Sequence, residues 1–247
     1  MDRTVVIFGI NPVLEALKAG RVARLRVGDR NSPRIGEILR LAAAGGVEVQ
    51  QVGRAILDHA AHSGAHQGVV AELVQPRDWS PAELVCEARG PALIVVLDGI
   101  EDPHNVGAIL RTADAAGADG VIRQTRHAAA IGGAAAKASA GAIAHVKVAE
   151  VVNIARALEE LKAAGVWTAG LAADGDKRYD LLDMTGPTAL VLGAEGTGLR
   201  RLVRERCDWL VSIPMKGHVD SLNVSVASGI VLFEALRQRR NAPAKAR

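Results

Sequence analysis

Three short stretches gather the side chains of this chain that could do chemistry. In the first, LDGIEDPHNVGAILRTADAAGADGV (97–121), Asp102 and Pro103 read as the cap and first turn of a helix that carries Asn105 and Arg111. Six residues along an ideal helix is about 600°, so these two side chains point roughly 120° apart. Arg111 stands out among the apolar Ile109, Leu110 and Ala113, although a pairing with an acid such as Asp114 is the plainer alternative. In the second stretch, LVLGAEGTGL (190–199), Gly193, Gly196 and Gly198 free the backbone to approach a ligand, and Glu195 sits between them. A glycine-rich turn with its carboxylate near a helix amino end would look the same.

The third stretch is IPMKGHVDSLNVSVA (213–227). Ile213 closes an apolar run, Pro214 stops it as a strand, Gly217 permits a sharp reversal, and Ser221, Leu222 and Asn223 lead into a long helix. Serine and asparagine are the preferred helix N-caps, so capping and a role in a site both stay open for Ser221 and Asn223. Each stretch joins a strand's carboxyl end to a helix's amino end, which is where open α/β proteins bind ligands.

Several chemistries lose support. The glycines of the second stretch are not spaced GxGxxG, and the chain has no GxxxxGK[ST] loop, no GxSxG elbow and no HExxH. Cys86 and Cys207 lie far apart without a CxxC pair, so neither a metal site nor a disulfide scaffold is expected.

The elements that must position these loops follow from periodicity. TVVIFG reads as a strand, NPVLEALKAG as a helix with Asn11 as cap, and ARLRVG as a strand. SPRIGEILRLAAAGG reads as a helix with Ser32 as cap, Pro33 at its first position and Gly45 and Gly46 at its end. VEVQQV, a short helix over 54–61 and AHQGVVAELV complete a small α/β domain, expected over 1–74. A proline-rich linker with one short helix is expected over 75–91, a second domain over 92–241, and a basic tail over 242–247.

In the second domain ALIVVLDG is almost continuously apolar, as in a strand buried on both faces of a parallel sheet. Helices over 105–116, 128–140 and 152–164 alternate with strands DGVIRQ, HVKVAE and VWTAGLA, followed by TALVLGAEG, LRRLVRERC, DWLVSIP and a last helix. That alternation implies an α/β fold, a mostly parallel sheet with helices on both faces.

Composition bounds the partners. The net charge of +3 is mild, but residues 18–40 hold seven basic residues against Asp29 and Glu37, and 237–247 has basic residues and no acid. Such zones suit a polyanion, and solvated helix faces with a free tail suit them equally. Aromatics make up 2% of the chain, which argues against recognition of RNA by base stacking. The amino terminus lacks a signal-peptide layout, and the apolar run 224–236 is interrupted by Glu234 and shorter than the ~20 residues of a membrane span. A soluble, cytoplasmic protein with no membrane partner is expected.

Together the three stretches are more specific than any one. DPHNVGAILRTADAAG, LVLGAEGTGL and IPMKGHVDSLNVSVASGIVLFEALRQR resemble, in order and wording, the three signature motifs of the SpoU/TrmH family of RNA ribose 2′-O-methyltransferases, in the SPOUT superfamily. The likeness covers 93–239 and includes KASAGA at 137–142. The first 75 residues, with FGINPVLEAL and HQGVVAEL, resemble the L30e-like substrate-binding domain of the subgroup that modifies a guanosine of 23S rRNA.

The resemblance implies S-adenosylmethionine as methyl donor, S-adenosylhomocysteine as product, no metal, a deep trefoil knot in the C-terminal domain, and a homodimer paired through that domain. It implies cofactor contacts from Gly193, Ile213 and Leu222, with Leu171 in a less closely matched loop outside this set. Arg111 takes the central catalytic place, with Asn105 positioning substrate, Glu195 fixing that arginine or the RNA, and Ser221 and Asn223 shaping the cofactor and ribose site. Because a guanidinium rarely gives up its proton, Arg111 is read as an electrostatic clamp on the 2′-hydroxyl and adjacent phosphate, with phosphate or water as proton acceptor. Within the class the rivals are a tRNA ribose methyltransferase and an antibiotic-resistance rRNA methyltransferase. Outside it, the rival is a non-catalytic RNA-binding or ribosome-assembly factor.

Overall fold

A computed structural model describes residues 5–29, 32–61, 65–74, 77–126, 128–129 and 131–242. Thr4 of the first expected strand, Arg30 of the basic zone, 75–76 of the expected linker and the tail beyond Ala242 lie outside them. The chain forms two compact units. One holds residues 1–77, 103–111 and 129–145, and the other holds 78–102, 112–128 and 146–247.

The first unit is built on a four-stranded mixed sheet of β1 (Val6–Phe8), β2 (Val22–Val27), β3 (Glu48–Gln51) and β4 (Val69–Leu73), in the order β1-β4-β2-β3. β4 runs antiparallel to both β1 and β2, and β2 runs parallel to β3. Its helices are α1 (Ile10–Lys18), α2 (Pro33–Ala44) and α3 (Arg54–Ala61). Phe8, Leu57, Ala61 and Val70 form one of its apolar clusters.

The Ser32 hydroxyl accepts from the Ile35 N–H with Pro33 in the first turn of α2, as its sequence predicts. Asn11 does not cap α1. Gly9, at φ +93°, stands at the cap instead, and the Gln67 side-chain oxygen accepts from the Ile10 N–H at 3.0 Å. Only glycine reaches that backbone region without strain, so the turn is made two residues before Asn11. Asn11 lies inside α1 and accepts from the Arg34 guanidinium at 2.7 Å.

The second unit carries a seven-stranded parallel sheet. Its strands are β5 (Leu93–Asp98), β6 (Gly120–Gln124), β7 (Val148–Val151), β8 (Trp167–Leu171), β9 (Lys177–Arg178), β10 (Thr188–Gly193) and β11 (Trp209–Ser212), in the order β7-β6-β5-β10-β8-β11-β9. Every residue of β5 and β6 is buried, so the apolar run of β5 serves both faces of the sheet. Ile94, Val96, Ile122, Val191, Leu158 and Leu161 meet in one core, joined by Leu84 of α4 (Pro81–Cys86).

The remaining helices are α5 (Pro103–Ala115), α6 (Gly133–Ala138), α7 (Ile154–Ala163), α8 (Arg201–Arg206) and α9 (Val224–Asn241). α6 is shorter than the expected 128–140. Gly132 stands at its N-cap, Gly133 has φ +46°, and Ala140 and Gly141 take positive φ before a 3-10 turn over Ala142–Ala144. β9 was not expected at all, being a two-residue edge strand too short to carry a period.

α9 runs from the third loop to the amino ends of β5 and β10, where Arg239 pins it. Its guanidinium donates to the carbonyls of Pro91 (2.6 Å), Met184 (3.0 Å), Gly186 (2.9 Å) and Ala92 (3.1 Å). Burial lowers the pKa of this group below the ordinary arginine value. Arg239→Ala strips these carbonyls of their donor and is expected to cost about 2–4 kcal/mol in urea unfolding. A loss under about 0.5 kcal/mol, the usual range for a surface substitution, would contradict this role.

Cys207 follows α8, its thiol donating to the Val203 carbonyl at 3.3 Å. Burial pushes that thiol up to about 12, whereas Cys86 is exposed. Since the thiolate is the nucleophile, iodoacetamide at neutral to mildly basic pH is expected to label Cys86 first, with Cys207 reacting only on unfolding. Equal rates in peptide mapping of the folded protein would contradict this.

Candidate functional site

β8, β10 and β11 are neighbours, and beyond their carboxyl ends lies a cavity of about 390 Å³. Gly193, Glu195, Ile213, Ser221, Leu222 and Asn223 all line it, so the second and third stretches meet in one place. Leu171, Ala172 and Ala173 at the end of β8 line it too. Of these, sequence reading reached only Leu171, because main-chain contacts from small residues leave no side-chain signature. Met215 and Asp220 were also missed.

The glycine-rich loop is a tight hairpin. Ala194 and Gly198 exchange both main-chain hydrogen bonds, at 3.1 and 2.8 Å, with Gly196 and Gly198 at positive φ. A Cβ on Gly193 would collide with the Gly198 carbonyl carbon and the Leu199 nitrogen, so this position has no room for a side chain. Gly217 is different: a Cβ there meets nothing within 4 Å, and its φ is not positive, so the reversal in the third loop does not require glycine.

Asn223 answers to both readings of its type. Its side-chain oxygen accepts from the Ser225 N–H at 2.9 Å and the Val226 N–H at 3.4 Å, capping α9. Its amide nitrogen donates to Glu195 Oε1 at 2.5 Å. One side chain therefore starts the helix and ties the third loop to the second. Ser221 lines the cavity and is not the cap.

Asn105 and Arg111 belong to the first compact unit. Asn105 is buried on the first turn of α5 and Arg111 is exposed near its middle, on faces about 120° apart. Among the described residues Arg111 forms no ion pair with Asp114. The basic zone of the first unit is partly neutralised in place. Arg26 pairs with Glu72 at 2.7 Å, Arg24 lies 3.5 Å from Glu48, and Lys18 pairs with Glu15 at 2.8 Å.

The cavity's chemistry selects among ligands. Leu171, Leu192, Ile213, Met215, Leu222 and Val224 give it apolar walls, and its volume falls in the range of roughly 300–1,000 Å³ usual for small molecules. Glu195 and Asp220 are its charged side chains, and no lysine or arginine is among the described residues lining it. Such a lining disfavours a nucleotide polyphosphate and favours a ligand with a flat ring system and a positive charge. Among the described residues no group of three or more His, Cys, Asp or Glu could hold a metal ion. None of the described helices is long and apolar enough to cross a membrane.

Comparison with known proteins agrees with this geometry. Residues 92–233 match the SpoU rRNA Methylase family, and residues 6–79 match a family described as RNA 2′-O ribose methyltransferase substrate binding. A 23S rRNA (guanosine-2′-O-)-methyltransferase, RlmB, of Pseudomonas syringae is 44% identical over 245 residues, 97% of this chain and 98% of that protein. An uncharacterized tRNA/rRNA methyltransferase of Mycolicibacterium vanbaalenii is 45% identical over 248 residues, 98% of this chain and 79% of that protein. The SpoU methyltransferase AviRb of Streptomyces viridochromogenes, solved in complex with the cofactor AdoMet, superposes with a TM-score of 0.80 at 30% identity, covering 96% of this chain and 91% of that one. With a matched family over more than half its length and relatives of this identity along nearly all of it, the chain belongs to the SpoU rRNA methylase family.

Proposed function

We propose that this chain transfers a methyl group from S-adenosylmethionine to the ribose 2′-hydroxyl of a guanosine in 23S rRNA. The observation that carries this reading is the cavity beyond β8, β10 and β11, apolar-walled, bearing carboxylates and, among its described lining residues, no lysine or arginine, where two of the three motif loops converge. Relatives named as 23S rRNA guanosine 2′-O-methyltransferases, 44% identical along nearly the whole chain, support the substrate.

When bound, S-adenosylmethionine supplies a methyl group made electrophilic by its sulfonium. The main chain at Gly193, Ile213 and Leu222 holds the adenosyl portion between the apolar walls, and the carboxylate of Glu195, held by the Asn223 amide, adds a negative field. Ser221 and Asn223 shape the ribose end of the site. A ribose hydroxyl is a weak acid, so its oxygen must be oriented and its developing charge stabilised. Arg111 does this as a fixed cation donating to the 2′-oxygen and the adjacent phosphate, Asn105 orients the substrate, and the phosphate or a water accepts the proton. The place of Arg111 and Asn105 in the first motif supports these roles.

The domain over residues 1–74, L30e-like, recruits the RNA; its match to a substrate-binding family supports this. Insertion of β10 between β5 and β8 is in keeping with a deep trefoil knot in the C-terminal domain, a rare topology. Val226 and Phe233 are exposed on α9 while Val224, Val231, Leu232 and Ala235 are buried on it. A helix apolar on more than its core face supports a homodimer paired through this domain. Free Cys86 and Cys207 are in keeping with a cytoplasmic enzyme.

The test is transfer of labelled methyl from S-adenosylmethionine to protein-free 23S rRNA taken from a strain lacking the modification. Transfer is expected there. Transfer to tRNA alone would overturn the substrate, and absence of cofactor binding would favour a silent RNA-binding factor.

A further inference from the structure

Within the cavity Asn223 ties the tip of the glycine-rich loop through Glu195, and the rest of the loop is held separately. Its hairpin is closed by main-chain bonds between Ala194 and Gly198, and its exit is fastened by side chains outside the cavity. Asp98 ends β5 opposite Gly193 of β10 and is fully buried. Its carboxylate accepts from the Arg200 N–H at 2.8 Å and from Arg200 Nε at 2.7 Å. The same guanidinium donates through Nη2 to Gln124 Oε1 at 2.5 Å, at the end of β6. Gln124 is itself buried. One arginine, two residues past the hairpin, thus ties the loop to the ends of two further strands.

A fully buried carboxylate is costly unless paired, and here both its oxygens face the backbone and side chain of a single loop residue. Every other residue of β5 is apolar, so this carboxylate is not there to pack. The charge instead fixes one loop geometry, because any displacement of residue 200 breaks the main-chain and side-chain bonds together. The loop so fixed presents Gly193, Ala194, Glu195, Gly196 and Gly198 to the cavity.

We propose that Asp98, Arg200 and Gln124 are positioning residues that hold the 194–199 hairpin in its cofactor-binding geometry. This rests on the cavity being the S-adenosylmethionine site. Arg200→Gln breaks the guanidinium bonds, and the double variant Asp98→Asn with Arg200→Gln also removes the buried charge left unpaired. Three measurements follow on wild type and both variants: the thermal midpoint, hydrogen exchange of amides 194–199 in the cofactor-free protein, and the S-adenosylmethionine Kd by calorimetry.

Arg200→Gln is expected to lower the midpoint, to speed exchange of the loop amides about tenfold or more while β5 amides stay protected, and to weaken cofactor binding by a similar factor. In the double variant the midpoint recovers, while loop exchange stays fast and binding stays weak. If exchange and affinity recover together with the midpoint, or never change, the network is structural only and the proposal fails. If wild type binds no S-adenosylmethionine, the functional assignment of the cavity fails, and the exchange arm still decides whether the network holds the loop.

Discussion

Arg111→Ala is expected to lower methyl transfer to 23S rRNA by about 10²- to 10³-fold, the loss that follows removal of one preorganised donor to a developing oxyanion. S-adenosylmethionine affinity should stay within about threefold, because the contacts proposed for Arg111 are with the RNA and not with the cofactor. Arg111→Lys keeps the charge and loses the planar fork, so it should recover no more than about tenfold of the loss. Exposure of Arg111 on α5 makes the substitution safe for folding, since its neighbours Ile109, Leu110 and Ala113 supply the buried side of that helix. Single-turnover rates at saturating cofactor, with calorimetric Kd values alongside, separate the two quantities. Full activity in Arg111→Ala would remove the arginine from the mechanism.

Gly193→Val carries the second large effect. Its side chain would occupy the space of the Gly198 carbonyl and the Leu199 nitrogen, and these are backbone atoms that cannot swing aside as a flexible side chain could. Either the hairpin opens or β10 shifts, and both move Glu195 away from its bond with Asn223. Overpacking of this kind costs about 1–3 kcal/mol. Taken from binding, that is a weakening of S-adenosylmethionine affinity by roughly 5- to 150-fold, measurable by calorimetry. Gly217→Ala in the third loop is the matched control and should bind normally, because its added Cβ meets open space. Equal behaviour of the two variants would mean that the close approach at Gly193 is not part of the site.

The parts of the fold legible in the sequence are those set by local chemistry. Ser32 and Pro33 announce α2, the unbroken apolar run of β5 announces a strand buried on both faces, and the polar-to-apolar change after Asn223 announces α9. Where two local signals compete, the sequence misleads. Asn11 is a good capping type, but Gly9 makes the turn first and Gln67, from another part of the chain, bonds the first N–H. Likewise the small residues over 128–140 read as one helix, while Gly133 and Gly141 at positive φ bound a shorter one.

Long-range features have no local signature. The placement of β10 between β5 and β8 follows from chain topology, and the pairing of Asp98 with Arg200 joins residues 102 positions apart. Of the candidate site, Glu195 and the Ser221 to Asn223 run are picked out in the sequence by their place between a strand end and a helix start and by the family resemblance. The 171–173 wall is not, since it acts through small and apolar groups.

The decisive measurement is which atom of the RNA receives the methyl group. After reaction with labelled S-adenosylmethionine, 23S rRNA is digested to nucleosides and the labelled product identified by mass spectrometry. The labelled nucleoside is expected to be 2′-O-methylguanosine, with the added mass on the ribose fragment. Label on a base fragment would contradict it.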